Sequence, residues 1–507
     1  MSWPWLPAFY RPKSSPILLG RYWNTTTNEI GSPLPYDLEL HGRHIVLIAP
    51  NGSGKFTRIL APSLLSLENH SLLVIDPKGE MTAVTADYRS RIGDVVVIDP
   101  FDHLDRLGVR GLPRLGFNPL SYLNPQAPTF YDDAAAIGDA LIKVEGNDPH
   151  WPKSARALIV ALLIWVQMRG VSKGSVGIVT EVRRLLTAPE VTDKDKKLVS
   201  GLRHTARLMV AWGRAHPENG GWQMASLASR FMGNSGEMLS IRSTADTQTE
   251  WMLSELVSLD LATQKGVDFA ALRRRPTTIY VVLPAEELGR HSIYLRLVIT
   301  TALRVLLRTP GRRVTFVMDE FHGLGKLEEV ERAWAEVRGY RVAMLPVLQS
   351  IGQLKGLYRE DWETFVAQAG AVVGFAPNDM TTARLMSERS GEKGVLAMTF
   401  NEGDGQAYGN QGSMNQSSGE HYQLMKRRHL LPQEVMDWRP GYGRIWMSGM
   451  GSLGIPMFAP NYWKLTSQGI AARAQRNPYY DGVLPAGSPD GDGPSRLPRS
   501  PPPPRIT

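Results

Sequence analysis

The chain of 507 residues contains no cysteine. This absence excludes disulfide scaffolds, thiolate zinc sites, iron–sulfur clusters and cysteine nucleophiles. The sequence also lacks the H-E-x-x-H pattern of zinc hydrolases and the G-x-S-x-G pattern of serine hydrolases. His41 and His44 have no carboxylate at metal-ligand spacing, so we interpret them as surface or core residues.

Long hydrophobic runs are missing as well. The longest nearly unbroken apolar run, Ala157 to Met168, has about a dozen residues, whereas a membrane-spanning helix needs about 20. We expect this run to form a buried core helix. The N-terminus, MSWPWLPAFYRPK, has no continuous apolar core and does not resemble a signal peptide. The sequence therefore predicts no transmembrane segment in this chain.

The charge balance is basic. Lys and Arg number 57 against 49 Asp and Glu, which gives a net charge of +8. Such a surplus favours a polyanionic partner, either a nucleic acid or an anionic membrane surface. Spread over 507 residues it is modest, so charge alone does not choose a partner.

Short apolar, β-branched runs recur along the chain and alternate with helical patterns. They are typical of strands buried on both faces of a parallel sheet, and they predict an α/β fold. Several end in polar residues, where open parallel sheets bind their ligands. The predicted strands are Ile45–Ala49, Leu72–Ile75, Val95–Ile98, Ile279–Leu283, Val314–Met318, Val342–Leu348 and Ala371–Phe375.

Strand patterns nearly vanish between Asp132 and Leu261, where helical periodicity dominates. We interpret this stretch as an all-α domain inserted into one α/β core. A Gly/Asn/Ser/Gln-rich stretch, Asn401 to Glu420, predicts a mobile loop, and the Pro/Gly-rich end predicts a flexible tail. The predicted boundaries are an N-terminal extension over 1–40, a core over 41–130 and 265–465, the insertion over 131–264 and the tail over 466–507.

A glycine-rich segment follows the first predicted core strand. It reads Asn51, Gly52, Ser53, Gly54 and Lys55, and an apolar helix pattern begins at Phe56 and Thr57. Such a segment cradles phosphate oxygens with backbone N–H groups, while its lysine reaches the β- and γ-phosphates. The match to the P-loop pattern is imperfect, because Ala49 replaces the first glycine and Phe56 replaces the Ser/Thr that contacts Mg²⁺. A chance glycine-rich turn is the alternative.

Two later strands end in residues suited to the same chemistry. Asp319 and Glu320 follow Val314–Met318; in P-loop ATPases such an Asp positions Mg²⁺ and the Glu orients the attacking water. Gln349 follows Val342–Leu348 and suits either a γ-phosphate sensor or a simple strand cap.

Basic clusters offer phosphate contacts or solvated turns. They are Arg273–Arg275, Arg312–Arg313 and Lys426–Arg428.

Several longer segments resemble the coupling-protein ATPases of type IV secretion and bacterial conjugation, the TraG/TraD type. The resemblance covers roughly residues 40 to 465. Its motifs are LLVIDPKGEMTAVTADYRSRIGDVVVIDPFD (72–102), FNPLSYL (117–123), WPKSARALIVALL (151–163), MDEFHGLGKL (318–327), LQSIGQLKGLY (348–358), DWETFVAQAGAVVGFAPNDMTTARLMSERSGE (361–392) and HLLPQEVMDWRPGYG (429–443).

The resemblance implies a RecA-like P-loop NTPase with an inserted all-α domain, assembled as a homo-hexamer. It implies ATP and Mg²⁺ as cofactors and delivery of DNA, relaxase-bound DNA or effector proteins to a secretion channel. By position, the loop with Lys55 would bind the phosphates, Asp319 would serve Mg²⁺, Glu320 the water and Gln349 the γ-phosphate. Arg338 would supply an arginine finger to a neighbouring subunit.

Two departures from the family affect the expected function. Phe56 is bulky where the family commonly has glycine, so Mg²⁺ would rest on water, Thr57 or Asp319. Family members usually begin with transmembrane helices, and none is predicted here, so we expect a cytoplasmic protein at the inner face of the bacterial inner membrane, working with inner-membrane components of the secretion system. The leading hypothesis is an ATP-driven translocase. The alternatives are a soluble DNA-pumping ATPase unrelated to secretion and a nucleotide-binding, non-hydrolysing cargo adaptor.

Overall fold

A computed structural model describes residues 16–41, 44–144, 148–192, 196, 198–233, 236–402 and 418–479. Side chains are described for these residues except 335, 337, 338, 396–402 and 418–423.

The strands of the described chain follow in this order: β1 (Ile17–Asn24), β2 (Glu29–Tyr36), β3 (Ile45–Ile48), β4 (Ser71–Ile75), β5 (Asp94–Ile98), β6 (Val191–Thr192), β7 (Leu198–Val199), β8 (Thr277–Val281), β9 (Val314–Met318), β10 (Val342–Leu348), β11 (Ala371–Phe375), β12 (Glu392–Glu402), β13 (Ser418–Arg428), β14 (Tyr442–Met447) and β15 (Ile455–Phe458).

The α-helices are α1 (Leu38–His41), α2 (Ala61–Ser66), α3 (Glu80–Ile92), α4 (His103–Arg106), α5 (Phe130–Leu141), α6 (His150–Ser172), α7 (Val179–Leu186), α8 (Gly201–Ala215), α9 (Gly221–Ser229), α10 (Gly236–Thr249), α11 (Glu255–Leu261), α12 (Ala271–Arg274), α13 (Leu288–Arg308), α14 (Glu328–Glu336), α15 (Ile351–Tyr358), α16 (Trp362–Gln368), α17 (Met380–Arg389), α18 (Pro432–Met436) and α19 (Ile470–Arg473). Short 3₁₀ helices cover Pro119–Tyr122, Glu250–Leu253, Phe321–Leu324, Val337–Tyr340, Arg359–Asp361 and Tyr462–Lys464, and a π-helical turn covers Phe56–Leu60.

Eleven strands form one sheet in the order β2-β1-β15-β14-β11-β3-β10-β9-β4-β8-β5. The seven strands from β11 to β5 are parallel, and β14, β15, β1 and β2 continue the sheet in antiparallel pairing. Six of the parallel strands, β3, β4, β8, β9, β10 and β11, are buried at every position, as expected for strands covered on both faces. β8 covers Thr277–Val281, two residues earlier than the predicted strand Ile279–Leu283. The predicted α/β class with a mostly parallel sheet is confirmed.

The helices α5 to α11 lie between β5 and β8 in the chain, where the sequence predicts the insertion. Their apolar side chains join those of one sheet face and of α13 in a single hydrophobic cluster, which includes Ile75 of β4, Leu162 of α6 and Leu297 of α13. The 3₁₀ turn Glu250–Leu253 separates α10 from α11.

The predicted core helix Ala157–Met168 lies within α6, and its residues Leu158 to Ile164 are fully buried. Among the described residues, α6 is the one helix long and apolar enough to cross a membrane, and most of its apolar stretch is enclosed by the rest of the protein. The prediction of a buried core helix is confirmed.

The folded part extends beyond the predicted core at both ends. β1 and β2, inside the predicted extension over 1–40, lengthen the sheet because β1 pairs with β15. Beyond 465, α19 packs on the core, and Arg473 forms an ion pair with Glu68. The predicted flexible tail is therefore folded as far as residue 479, while 480–507 lie outside the described residues.

β12 and β13 pair with each other over eleven residues as a separate ribbon. Most of the loop predicted over Asn401–Glu420 lies outside the described residues.

Candidate nucleotide-binding site

The candidate residues meet at the carboxyl edge of the parallel sheet. β3, which leads into the glycine-rich segment, lies between β10 and β11, and β9 lies on the other side of β10. Residues that directly follow β3, β9 and β10 are therefore neighbours in space, although up to 298 positions separate Asn51 from Gln349.

The glycine-rich segment forms a tight loop before the next helix. Gly52 and Gly54 have φ of +80° and +78°, a backbone conformation that glycine adopts without steric cost. A Cβ atom on Gly52 would meet nothing within 4 Å, so the loop faces open space there. The Ser53 hydroxyl is buried and has no partner among the described residues. An anion in this loop would supply that missing partner.

Lys55 links the loop to the acidic pair at the end of β9. Its Nζ lies 2.8 Å from Oδ1 of Asp319 and 2.6 Å from Oε1 of Glu320. Burial alone would lower the pKa of Lys55, but the two carboxylates outweigh it and raise the pKa. The ammonium group is therefore charged and is held between the carboxylates of Asp319 and Glu320.

Glu320 extends the constellation to the neighbouring strand. Burial would raise its pKa, but the charge of Lys55 and hydrogen bonds from Lys55 and Gln349 lower it. Gln349 donates from Nε2 to Oε2 of Glu320 at 2.7 Å and accepts from Asn51 at 3.3 Å. Glu320 has φ of +48°, an uncommon conformation for a residue with a Cβ atom. The Glu320 carboxylate is thus ionised and hydrogen-bonded on both oxygens.

Phe56 points away from this cluster. Its ring is buried, with 7% exposure, and packs edge-on against Tyr462 at a centroid distance of 6.2 Å. The backbone of Phe56 opens a π-helical turn, closed by a hydrogen bond from the N–H of Ala61 to its carbonyl. π-turns of this kind occur often at functional sites. The loop therefore offers no hydroxyl at the position that follows its lysine.

Thr57, the predicted alternative Mg²⁺ ligand, makes contacts within the protein. Its hydroxyl lies 2.8 Å from Oδ1 of Asn461 and 3.2 Å from the carbonyl of Gly54. Asn461 follows β15, and Arg58 contacts the same segment by donating to the carbonyl of Ala459 at 2.6 Å. The sequence gives no indication that the segment after β15 contacts the glycine loop, because about 400 residues separate Thr57 and Arg58 from Asn461 and Ala459.

A second acidic group lies at the end of β4, beside Asp319. Asp76 is fully buried, which raises its pKa to about 6, although it accepts hydrogen bonds from the N–H and hydroxyl of Thr82. Burial raises the pKa of Glu80 to about 7, and Asn477 donates to its Oε1 at 2.6 Å. The polar ending Asp76 is visible in the sequence, whereas Glu80 could not be told from a surface residue of α3.

Arg338 lies away from the site within its own subunit. Its backbone belongs to the 3₁₀ turn Val337–Tyr340, which precedes β10, whereas Gln349 follows that strand. A strand of seven residues is roughly 20 Å long. Arg338 therefore lies near the amino edge of the sheet, and its side chain lies outside the described residues.

Much of the predicted basic surface is occupied by protein contacts. Arg273 is buried, Arg274 and Arg275 form ion pairs with Asp268 and Asp94, and Arg313 pairs with Glu39 at 3.1 Å. Lys426–Arg428 end β13 at the base of the ribbon. Arg427 and Arg428 form ion pairs with Glu434 and Glu388, and Lys426 is exposed.

The residues fit a magnesium–nucleotide complex. The open glycine loop, the unpartnered Ser53 hydroxyl and the ammonium of Lys55 suit phosphate oxygens, and Asp319 suits Mg²⁺. Across the ranges that the structure describes, no group of three or more His, Asp or Glu side chains is arranged to hold a metal ion. Mg²⁺ would therefore be held by Asp319 together with phosphate oxygens and water.

Comparison with known proteins places this geometry in a family. The model of a family described as "Type IV secretory system Conjugative DNA transfer" matches residues 7–440. The chain belongs to this family. The conjugal transfer protein TraG of Rhizobium radiobacter is 26% identical over 418 residues, which are 80% of this chain and 60% of that protein. This chain therefore spans about 60% of the length of that relative.

Solved structures of coupling proteins show the same fold. The bacterial conjugative coupling protein TrwBdeltaN70 in its unbound monoclinic form aligns with a TM-score of 0.61 and 15% identity, covering 87% of both chains. The plasmid coupling protein TrwB in complex with ADP and Mg²⁺ aligns with a TM-score of 0.56 and 15% identity, covering 82% of this chain and 85% of TrwB. The predicted RecA-like P-loop fold of the family is confirmed.

Proposed function

We propose that this chain is an ATPase that drives delivery of DNA, relaxase-bound DNA or effector proteins into a type IV secretion channel. The observation that carries the proposal is the cluster of Lys55, Asp319, Glu320 and Gln349 at the carboxyl edge of the sheet, in a chain of the conjugative DNA transfer family. The complex of TrwB with ADP and Mg²⁺ supports the choice of nucleotide and metal.

Each residue of the cluster has a distinct part in this proposal. Residues 51–57 cradle the phosphates with backbone N–H groups, and Lys55 moves from the acidic pair to the β- and γ-phosphates. Asp319 would hold Mg²⁺, which would neutralise charge on the phosphates when bound. Glu320 is ionised and orients the attacking water, and Gln349 couples that carboxylate to the γ-phosphate.

Hydrolysis in this proposal requires an adjacent subunit, and we propose that the subunits form a homo-hexamer. The backbone of Arg338 lies before β10, at the opposite end of this strand from Gln349 and the glycine loop of its own subunit. A guanidinium that stabilises the charge of phosphoryl transfer can come from an adjacent subunit. We therefore assign Arg338 to the nucleotide of a neighbour.

We also propose that the protein acts at the cytoplasmic face of the bacterial inner membrane, bound to inner-membrane components of the secretion system. Family membership and the net charge of +8 support this location. A soluble DNA-pumping ATPase unrelated to secretion would have the same nucleotide site. The cargo, and the membrane component that binds this protein, must therefore be tested directly.

A second candidate function is a nucleotide-binding adaptor that does not hydrolyse. The orientation of Phe56 favours it, because the loop has lost the hydroxyl that binds Mg²⁺ in ordinary P-loops. Such an adaptor would bind nucleotide and present cargo without turnover.

The deciding experiment is the ATPase rate of the purified chain during a titration with single-stranded DNA. Lys55→Ala is the test variant, and Lys173→Ala, an exposed lysine at the end of α6, is the matched control. DNA-stimulated turnover that only Lys55→Ala abolishes would support the motor. Tight nucleotide binding with no turnover in the assembled protein would refute the motor and favour the adaptor.

A further inference from the structure

Arg273 is the first of three consecutive arginines for which the sequence predicts either phosphate contacts in a nucleic-acid channel or a solvated turn. Its side chain fits neither prediction. It is 3% exposed and lies at the amino edge of the sheet, in α12. No carboxylate accepts from it in the described contacts; its hydrogen bonds go to main-chain carbonyls. Burial and the nearby Arg341 and Arg313 lower its pKa to about 10, so it remains charged at neutral pH.

The four carbonyls belong to three separate segments. Nη2 donates to Leu306 of α13 and to Tyr340, each at 2.7 Å. Nη1 donates to Arg312 at 2.6 Å and to Arg341 at 3.3 Å. Arg273 thus fixes residues 337–341, which we name the β10 turn, to the end of α13 and to the loop before β9.

A second contact holds the same turn from its other side. Arg341 has φ of +57°, an unfavourable backbone conformation that persists only where neighbouring contacts impose it. Its guanidinium donates to Oε1 of Glu39 at 2.8 Å, and Glu39 also accepts from Arg313. The end of the turn is therefore fixed through both its main chain and its side chain.

The part of the turn that is not fixed faces outwards. Gly339 is exposed, and Tyr340 retains 51% exposure although its carbonyl is held by Arg273. Tyr and Arg are the residue types most enriched at the centres of protein interfaces. The turn also contains Arg338, which the proposed function assigns to the nucleotide of another subunit.

We propose that Arg273 is a positioning residue that holds the β10 turn in the conformation in which Arg338 meets the nucleotide edge of a second copy of this chain. The inference rests on the proposed function, because it takes Arg338 as the residue supplied in trans. A lysine at position 273 would keep the charge but has only three donors on one nitrogen, so it cannot hold carbonyls from three segments with a planar fork.

The test uses the full chain, whose lack of cysteine makes introduced thiols unique. Gly339→Cys marks the turn, since a Cβ there meets nothing within 4 Å, and Asn51→Cys marks the exposed mouth of the glycine loop. The two positions lie at opposite edges of one subunit, so a short bismaleimide can join them only between subunits. The chain is assembled on single-stranded DNA with a non-hydrolysable ATP analogue, so the result does not depend on turnover.

The double-cysteine chain should give a ladder of cross-linked species in a denaturing gel, which each single-cysteine chain lacks. Adding Arg273→Lys should reduce the ladder at least fivefold, while the control Arg274→Lys, whose partner Asp268 is exposed, should leave it unchanged. Glu39→Gln weakens the contacts to Arg341 and Arg313 and leaves Arg273 in place. This variant should give a smaller reduction and serves as the test if Arg273→Lys fails to fold.

Three cross-linking results would overturn the inference: no ladder from the double-cysteine chain, a ladder that Arg273→Lys and Glu39→Gln leave intact, or an equal loss with Arg274→Lys.

A measurement of ATP hydrolysis separates positioning from general stability. Arg273→Lys subunits keep an intact glycine loop, and Lys55→Ala subunits keep an intact turn, so mixing them should restore turnover above either alone. No recovery on mixing, from a wild-type chain that hydrolyses ATP, would contradict action in trans. Cross-linking by the double-cysteine chain, together with no ATP hydrolysis by the wild-type chain, would refute the proposed motor but not the placement of the turn.

Discussion

The carboxyl group of Glu80, beside the candidate nucleotide site, makes the free energy of unfolding depend on pH. Glu80 is 7% exposed, and burial raises its pKa from an ordinary 4.5 to about 7, with added repulsion from Asp76 and Asp319. Below pH 4.5 the group is protonated in both the folded and the unfolded chain, so it costs nothing. Between pH 4.5 and 7 the unfolded chain loses this proton first, so the free energy of unfolding falls as pH rises.

The size of the effect follows from the two pKa values. A difference of about 2.5 corresponds to roughly 3 kcal/mol, at about 1.4 kcal/mol per pKa unit. Glu80→Gln removes the titration and keeps an oxygen that can accept from Asn477. The variant should therefore be more stable than wild type by up to roughly 3 kcal/mol at pH 8, but by less than about 1 kcal/mol at pH 5. For a folded chain of this length that is a rise in Tm of about 3 °C.

Differential scanning fluorimetry of both proteins from pH 5 to pH 8 would measure this difference. Glu286→Gln is the matched control, because the Glu286 side chain is 64% exposed and should show no pH-dependent gain. A Tm difference between Glu80→Gln and wild type that is constant across pH, or that grows towards acid, would refute the reasoning.

Three further changes test other parts of the structure. Gln349→Ala, which frees one oxygen of Glu320, should lower kcat roughly 100-fold while nucleotide affinity changes less than about threefold; a loss of affinity instead would make Gln349 a binding residue. Phe56→Ser places a hydroxyl after Lys55 and should lower the Mg²⁺ concentration that turnover needs, measured by titrating turnover with Mg²⁺. The variant should also lose roughly 3 kcal/mol of stability, because the ring that packs against Tyr462 is lost; an unchanged Tm would contradict this packing. Arg89→Met removes the guanidinium that donates to two buried carbonyls and a hydroxyl, and should lower Tm by about 3 °C; a neutral result would show that water replaces it.

The parallel core of the fold could be predicted from the sequence. Val314–Met318, Val342–Leu348 and Ala371–Phe375 were predicted with the bounds that the structure has, because strands buried on both faces leave unbroken apolar runs. Lys55, Asp319, Glu320 and Gln349 could also be predicted to meet, since residues after parallel strands share one edge of the sheet.

The rest depends on contacts between residues far apart in the chain. β1 carries no strong apolar pattern and is a strand because β15 pairs with it. The partners Thr57 and Asn461, like Glu80 and Asn477, are about 400 residues apart, and nothing in either local sequence indicates the other. Arg273 follows the same rule: three adjacent arginines look alike in sequence, and only the packing of α12 buries the first.

The hydrophobic cluster shared by the sheet and the inserted helices limits how one subunit can move. Leu73 and Ile75 of the sheet, Leu162 of α6 and Leu297 of α13 are fully buried in this one cluster. A hinge between insertion and core would have to open a well-packed interior, and each cavity made in this way is costly. The inserted helices and the sheet should therefore move together as one rigid body. In the proposed motor, whole subunits would then rotate against each other at the junctions that hold nucleotide.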